Sequence, residues 1–218
     1  MSEMKPQTQK FTWLVWGGLA LVAATLGLVY ALGKVRTGEF RPLPVYGQIA
    51  DFSLTNQEGR VMSLADLRGH VWLGDIIFTQ CAGPCPRMTR EMKELQQGLP
   101  AASDAKLVTL TTDPGHDTPE ILKRYAEKFG ADPARWSFLT GTKSEIAKLA
   151  IDSLKLTAVE KKPEERETPE DLWIHSTIFV IVDKRAQLRG VFETTGEGID
   201  PQEVKARILK TVRQLEKE

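Results

Sequence analysis

The stretch that decides the fold is Val71–Pro86, which reads VWLGDIIFTQCAGPCP. Its first half is apolar and β-branched enough for a buried strand, although Gly74 and Asp75 interrupt the apolar run. The proline that ends the stretch predicts a helix start, because proline suits the first helical position and disfavours the helical conformation in the residue before it. We therefore predict a strand, a loop carrying Cys81, and a helix with Cys85 as its N-cap. A loop at the carboxyl end of a strand is where open α/β sheets bind ligands.

Strand and helix patterns alternate on both sides of this stretch. The β-branched and aromatic run at 176–182 (STIFVIV) is the strongest strand pattern in the chain. Alternating elements that close with a hairpin and a helix are typical of an α/β fold with a mixed central sheet flanked by helices. The segment 160–171 is nearly all charge and proline, and we expect a solvated loop there. The other predicted elements are strands at 51–54, 60–63, 106–112, 136–139 and 187–193, a helical turn at 63–69, and helices at 86–97, 118–129, 143–153 and 201–217.

Residues 11–33 carry no charge and only two threonines. About 20 apolar residues are enough to cross the ~30 Å hydrocarbon layer of a membrane as a helix. The apolar run is longer than the core of a cleaved signal peptide, so we predict one uncleaved transmembrane helix. Basic residues lie on both sides of the run, and charge therefore does not fix its orientation. The predicted organisation is a short tail at 1–10, a transmembrane anchor at 11–33, a linker at 34–46 and a folded domain at 47–218.

Composition excludes one class of partner. The 218 residues contain 29 basic and 29 acidic side chains, so the formal net charge is zero. Nucleic-acid binding needs a concentrated basic surface, and we expect no nucleic-acid partner. The two cysteines, Cys81 and Cys85, are too few for a disulfide framework.

The surroundings of the two cysteines indicate chemistry. A helix N-terminus stabilises a thiolate, so we expect a lowered thiol pKa at Cys85. Two soft thiolates close together select Cu(I) or Zn over hard cations, and the same thiolates would attack disulfides. An inert buried pair is disfavoured because small core residues do not need a glycine and two prolines around them. The residues alone leave metal binding and redox chemistry both open.

The three histidines differ in their settings. His70 precedes a strand in a polar turn and His116 belongs to an acidic loop, so we expect solvated surface positions for both. His175 comes immediately before the predicted strand at 176–182. A lone histidine at a strand entry is more often a structural residue than a ligand. If this imidazole faces the cysteine loop, however, Cys81, Cys85 and His175 form a set of two sulfurs and one nitrogen suited to a thiophilic metal.

Four elements follow one another along the chain: the single anchor, Phe78-Thr79 before Cys81-x-x-x-Cys85-Pro86, Asp113-Pro114 with Asp117-Thr118-Pro119, and His175-Ser176 before a strand. Taken together, these elements resemble the SCO/SenC family of membrane-anchored copper-binding proteins, which have thioredoxin-like domains and assist assembly of cytochrome c oxidase. The chain departs from the usual family pattern at Ala82, where many members have proline, and at Ile174, where many have aspartate. Neither change removes a donor atom.

The resemblance implies a thioredoxin-like fold and a copper metallochaperone, with Cys81, Cys85 and His175 as ligands for Cu(I) or Cu(II). It also implies that Cys81 and Cys85 can oxidise to a disulfide. The implied partners are the copper-site subunit of cytochrome c oxidase and other copper chaperones or thiol reductants, and the implied location is the periplasmic or extracytoplasmic face of a membrane. We expect no conventional enzyme. The alternatives are a thiol–disulfide oxidoreductase that reduces oxidase-subunit cysteines and, less favoured because no arginine partner is evident, a peroxiredoxin-like peroxidase.

Overall fold

The structure, a computed structural model, describes residues 7–36, 42–156, 158–160, 173–175 and 177–218. The chain divides into two compact units, Met1–Pro42 and Leu43–Glu218. The first unit contains helix α1, Gln7–Arg36. In the part of the chain that is described, no helix combines the length and the apolar character needed to cross a membrane. The transmembrane helix predicted at 11–33 is therefore not shown by the structure.

The second unit is an α/β structure with strands and helices in alternation. Its strands are β1 Gly47–Gln48, β2 Ser53–Asn56, β3 Val61–Ser63, β4 Trp72–Ile77, β5 Lys106–Thr111, β6 Trp136–Thr140, β7 Ala158–Glu160, β8 Trp173–His175, β9 Ile178–Val182 and β10 Gln187–Glu193. Its helices are α2 Leu64–Leu67, α3 Cys85–Gly98, α4 Pro119–Lys128, α5 Lys143–Ala147, which continues as a π-helical segment Lys148–Ser153, and α6 Pro201–Leu215.

The described strands form a mixed sheet of eight, in the order β1-β10-β9-β4-β5-β6-β2-β3, and a separate ribbon of β7 and β8. The three central strands β4, β5 and β6 are parallel, whereas β9 and β2 pair with them in the antiparallel sense. The predicted mixed sheet with flanking helices is confirmed. Because β4 and β5 are parallel, the loops that follow them, 78–84 and 112–118, leave the sheet at the same edge.

Helices cover both faces of the sheet and bury two apolar clusters. One face packs against α3, α4 and α6 through side chains such as Met88, Leu122 and Ile208. The opposite face packs against α2 and α5 through side chains such as Leu64 and Ile146. Cys81 and Cys85 belong to the first cluster, so the cysteine loop is part of the core as well as of the sheet edge.

Gly74 and Asp75, the two interruptions in the apolar run of β4, both have packing explanations. A Cβ atom at Gly74 would lie 3.0 Å from Val180 Cγ2, so the absence of a side chain lets β9 pack closely. Asp75 is fully buried, and its Oδ1 accepts a 2.6 Å hydrogen bond from Thr109 Oγ1. Thr109 Oγ1 in turn accepts a 2.9 Å bond from Trp136 Nε1. Every residue of β4 is buried, including these two.

The hydrogen bond from Trp136 gives a stability prediction with a matched control. Trp136 and Trp72 are both fully buried, but the Trp72 indole N–H has no hydrogen-bond partner among the described residues. Both Trp→Phe changes remove similar apolar area, whereas only Trp136→Phe deprives the buried Thr109 hydroxyl of a donor. We expect Trp136→Phe to lower the free energy of unfolding by about 1–2 kcal/mol more than Trp72→Phe. Urea unfolding of both variants measures the difference, and equal losses would contradict this role of the bond.

Most predicted elements are confirmed within one or two residues at their ends. The start of α4, predicted at 118, is capped by Thr118: its side chain accepts from the Ile121 N–H at 3.4 Å, and Pro119 begins the helix. The helix predicted at 143–153 changes to π-helical geometry halfway. The ribbon of β7 and β8 was not predicted, and the predicted solvated loop lies, apart from Glu160, outside the described residues.

Candidate metal and thiol site

The cysteine loop begins with a tight turn and ends at α3. The Cys81 N–H donates to the Phe78 carbonyl at 3.3 Å and closes a turn over 78–81. The predicted N-cap is wrong by one residue: Pro84 caps α3 and Cys85 is the first helical residue. Pro84 has φ −73° and ψ −25°, a helical conformation that the fixed φ of proline favours. The chain is therefore already helical at Pro84, although Pro86 disfavours the helical conformation at Cys85.

The two cysteine side chains meet inside the core. Cys81 is 8% exposed and Cys85 is fully buried, and both are present as thiols. A side-chain hydrogen bond links them. Burial raises the pKa of the Cys85 thiol above its ordinary value, the contact with Cys81 raises it further, and a backbone hydrogen bond at Phe78 acts in the opposite direction. The predicted lowering at the helix N-terminus is therefore wrong for Cys85, because desolvation outweighs the helix dipole.

Two hydroxyls, those of Thr89 and Tyr125, form a buried contact next to Cys85. Thr89 Oγ1 donates to the Cys85 carbonyl at 2.9 Å and also lies 2.9 Å from the Tyr125 hydroxyl. Burial raises the pKa of Tyr125, and the nearby negative charge that Cys85, Asp75 and Cys81 can carry adds to this effect. The side chains around Cys85 therefore favour its neutral form until a cation arrives to compensate the charge.

The raised pKa of Cys85 has a consequence for stability. Below its ordinary pKa of 9.0 the thiol is protonated in the folded and the unfolded chain alike. Above that value the unfolded chain loses the proton and the folded chain keeps it, so the free energy of unfolding should fall by up to ~1.4 kcal/mol per pH unit. Tyr125 adds a decline only above its own ordinary value of 10.0.

Chemical unfolding of the reduced, metal-free chain between pH 8 and 10 measures this decline. Cys85→Ser should flatten it between pH 9 and 10, and an unchanged slope in that variant would contradict the assignment to Cys85.

The three histidines are placed differently by the structure. His70 is partly exposed beside Asp104, with 3.1 Å between Nδ1 and Oδ2. His116 is also partly exposed, but its Nδ1 is 3.0 Å from Oδ1 of the fully buried Asp117. The predicted solvated surface position therefore describes only one side of this histidine. His175 ends β8, where its backbone pairs with Ala158, and its side chain lies outside the described residues.

The structure thus brings Cys81 and Cys85 together and leaves the third predicted ligand, His175, as a prediction. Within the described ranges there is no group of three or more His, Cys, Asp or Glu residues placed to hold a metal ion. Sequence reasoning assigned no role at the site to the polar residues Thr79, Thr89 and Asp117, of which Thr89 and Asp117 are buried and Thr79 is partly buried. The signal nearest to them is the acidic 113–119 segment, which belongs to the family resemblance but does not by itself indicate a role for Asp117.

Comparison with known proteins finds a family match over most of the chain. The family profile described as SCO1/SenC matches residues 46–213. The "SCO1 protein homolog" of Bacillus subtilis (strain 168) is 38% identical over 160 residues, which cover 72% of this chain and 80% of that protein.

Solved structures agree as well. The structure of BsSco, described as a member of the Sco family of cytochrome c oxidase assembly proteins with a disulfide switch, is 31% identical and superposes with a TM-score of 0.66 over 81% of this chain and 96% of that one. The structure of Bradyrhizobium japonicum ScoI with copper bound shares the fold at a TM-score of 0.63 and 21% identity, over 78% and 99% of the two chains. This chain belongs to the SCO1/SenC family.

Proposed function

We propose that the chain binds copper through Cys81, Cys85 and His175 and delivers it to the copper-site subunit of a cytochrome c oxidase. The observation that carries the proposal is the pair of thiols in mutual contact at the carboxyl edge of the sheet. Membership of the SCO1/SenC family supports it. So do one relative solved with copper bound and another described as an oxidase assembly protein.

The donor atoms suit copper as cargo. Two thiolates are soft ligands that prefer Cu(I), and an imidazole adds a donor that also suits Cu(II). Each thiol must release its proton when the metal binds. Because burial raises the pKa of Cys85, protons compete strongly with the metal, and copper affinity should increase with pH.

The two cysteines and the residues between them differ in exposure. Cys85 is fully buried, whereas the three residues between the cysteines, Ala82, Gly83 and Pro84, are exposed. Burial excludes water from the sulfur pair. Incoming ligands of a partner protein would therefore approach across 82–84 and displace the donor from Cys81 first, since Cys81 is the less buried of the two.

Copper loading of the full chain under reducing conditions tests the proposal. We expect one copper per chain, with proton release that disappears in a Cys81→Ser, Cys85→Ser double variant. Copper uptake by the double variant equal to that of the parent would contradict binding through the thiols.

The contact between the sulfurs also favours a second function, a thiol–disulfide oxidoreductase. In this reaction the Cys81 thiolate attacks a disulfide sulfur of the oxidase subunit, which forms a mixed disulfide and releases one partner thiolate. Cys85 then loses its proton and attacks Cys81 Sγ, which closes the Cys81–Cys85 disulfide and releases the second partner thiolate. The disulfide switch named for BsSco is consistent with such a pair. Cys85→Ser should trap the mixed disulfide, and a failure to trap any would favour copper delivery alone.

Membrane attachment through residues 11–33, with the second unit on the periplasmic or extracytoplasmic side, is also part of the proposal. The uncharged run lies within α1, and the described side chains of Trp16, Leu19 and Leu26 expose more than half of their surface. Exposed apolar surface of this extent is typical of a membrane or protein contact. Other copper chaperones or thiol reductants would supply this compartment with metal or electrons. The full chain should stay with membranes in alkaline carbonate, and release into the soluble fraction would contradict attachment.

A further inference from the structure

We propose that Asp117 is a positioning residue of the thiol site, which acts on Cys81 through Thr79. The proposal rests on the proposed function, in which the placement of the two sulfurs governs copper affinity. Asp117 lies in the loop after β5 and is not one of the three proposed copper ligands.

Asp117 holds Thr79 by two hydrogen bonds. The carboxylate is fully buried. Its Oδ2 accepts from the Thr79 N–H at 3.1 Å, and its Oδ1 accepts from Thr79 Oγ1 at 2.5 Å. Two bonds to one residue fix both the backbone and the side-chain rotamer of Thr79.

The rest of the carboxylate is also occupied by donors. Thr111 Oγ1 donates to Oδ2 at 2.5 Å, and His116 Nδ1 is 3.0 Å from Oδ1. Carboxylate oxygens accept hydrogen bonds, and all four groups around them can donate. The loop is closed on itself as well, because the Asp117 N–H donates to the Asp113 carbonyl at 2.8 Å. The hydrogen bonds of its own loop thus hold Asp117 in place, and Asp117 in turn holds Thr79.

The position of Thr79 is transmitted to one sulfur and not to the other. Thr79 is the second residue of the turn over 78–81 that the Cys81 N–H closes. Cys85 is held independently, by its place in α3 and by the bond from Thr89 to its carbonyl. The approach of the two sulfurs therefore depends on Thr79, and through it on Asp117. Outer hydrogen bonds of this kind orient metal ligands, and their loss typically lowers metal affinity 10- to 100-fold.

A purely structural role, the joining of β4 to β5, explains these bonds less well. The ends of the two strands are already joined beyond their ladder by the Thr112 N–H, which donates to the Ile77 carbonyl at 2.8 Å. The bonds from Asp117 extend past this point, into the loop that carries Cys81.

Side-chain variants at Thr79 test the proposal without introducing a misfit at the buried Asp117. Thr79→Val keeps the shape and the N–H but removes the hydroxyl donor, and Thr79→Ser restores that donor. Asp113→Asn is the control for a charge change in the same loop, because the bonds that Asp113 makes here use its backbone. Cu(I) affinity of the full chain is measured by competition with a chromophoric chelator, and folding is measured by thermal unfolding in parallel.

We expect Thr79→Val to weaken Cu(I) binding at least tenfold, while Thr79→Ser and Asp113→Asn stay within about twofold of the parent. Parent-like affinity in Thr79→Val, with or without a lower melting temperature, would overturn the proposal. If the parent itself fails to bind Cu(I), the proposed function fails. In that case the positioning role is tested by the dithiol–disulfide equilibrium constant of the same variants in glutathione buffer. A constant that shifts at least tenfold only in Thr79→Val supports positioning, and equal constants overturn it.

Discussion

Replacing Cys85 with serine should raise the Kd for Cu(I) by more than about 100-fold, beyond the range typical for the loss of an outer hydrogen bond to a ligand. The thiolate is the soft donor that selects Cu(I), whereas a serine hydroxyl is a hard oxygen that stays protonated at neutral pH. Cys85 is also the more shielded of the two cysteines, since it is fully buried at the start of α3. Competition titration of the full chain under reducing conditions measures the effect.

A buried Cys→Ser change also affects folding, so the test needs a variant matched for stability. Ile208→Val trims a fully buried side chain of α6 in the same apolar cluster and typically costs about 0.5–1.5 kcal/mol. It should bind Cu(I) like the parent. If Cys85→Ser binds as tightly as Ile208→Val, the buried thiol is not a ligand and the metal site must lie elsewhere.

Replacing His175 with alanine should separate the two oxidation states of copper. We expect Cu(II) affinity to fall by more than about 100-fold, because Cu(II) favours imidazole nitrogen in its coordination. Cu(I) affinity should fall by no more than about tenfold, because the two sulfurs remain. Anaerobic titrations with Cu(I) and with Cu(II) under matched conditions give both constants.

His70→Ala is the matched control for this experiment. His70 is partly exposed beside Asp104 and lies two residues before β4, and therefore at the opposite end of that strand from the cysteine loop. Its replacement should change neither constant. Equal losses for Cu(I) and Cu(II) in His175→Ala, or no loss in either, would remove the imidazole from the copper site.

Much of the fold and part of the site are predictable from the sequence, because the deciding patterns are local. The strand STIFVIV, the capped start of α4 at Thr118-Pro119 and the hairpin around Gly59 follow from β propensity, capping and turn chemistry. The placement of the cysteine loop at the carboxyl edge needs only the order of strand, loop and helix. The motifs around Cys81-x-x-x-Cys85-Pro86 indicate the family for the same reason, since each motif is a short run of neighbouring residues.

Burial and long-range pairing were not predictable in the same way. The position at a helix N-terminus predicts a lowered pKa for Cys85. Packing of α3 and α6 on the sheet instead buries the thiol, and this burial raises its pKa. The role of Asp117 depends on Thr79, which lies 38 positions earlier in the chain. Asp75 looked like a break in a strand because its partner Thr109 belongs to β5. Each of these depends on the contact of elements that are distant in sequence.

X-ray absorption at the copper edge of the full chain loaded with one equivalent of copper tests the central claim most directly. We expect two sulfur scatterers and one imidazole in the parent, and loss of the imidazole contribution in His175→Ala with both sulfurs kept. A parent spectrum with two sulfurs and no imidazole, identical to that of His175→Ala, would contradict the three-ligand site and leave the chain as a dithiol protein.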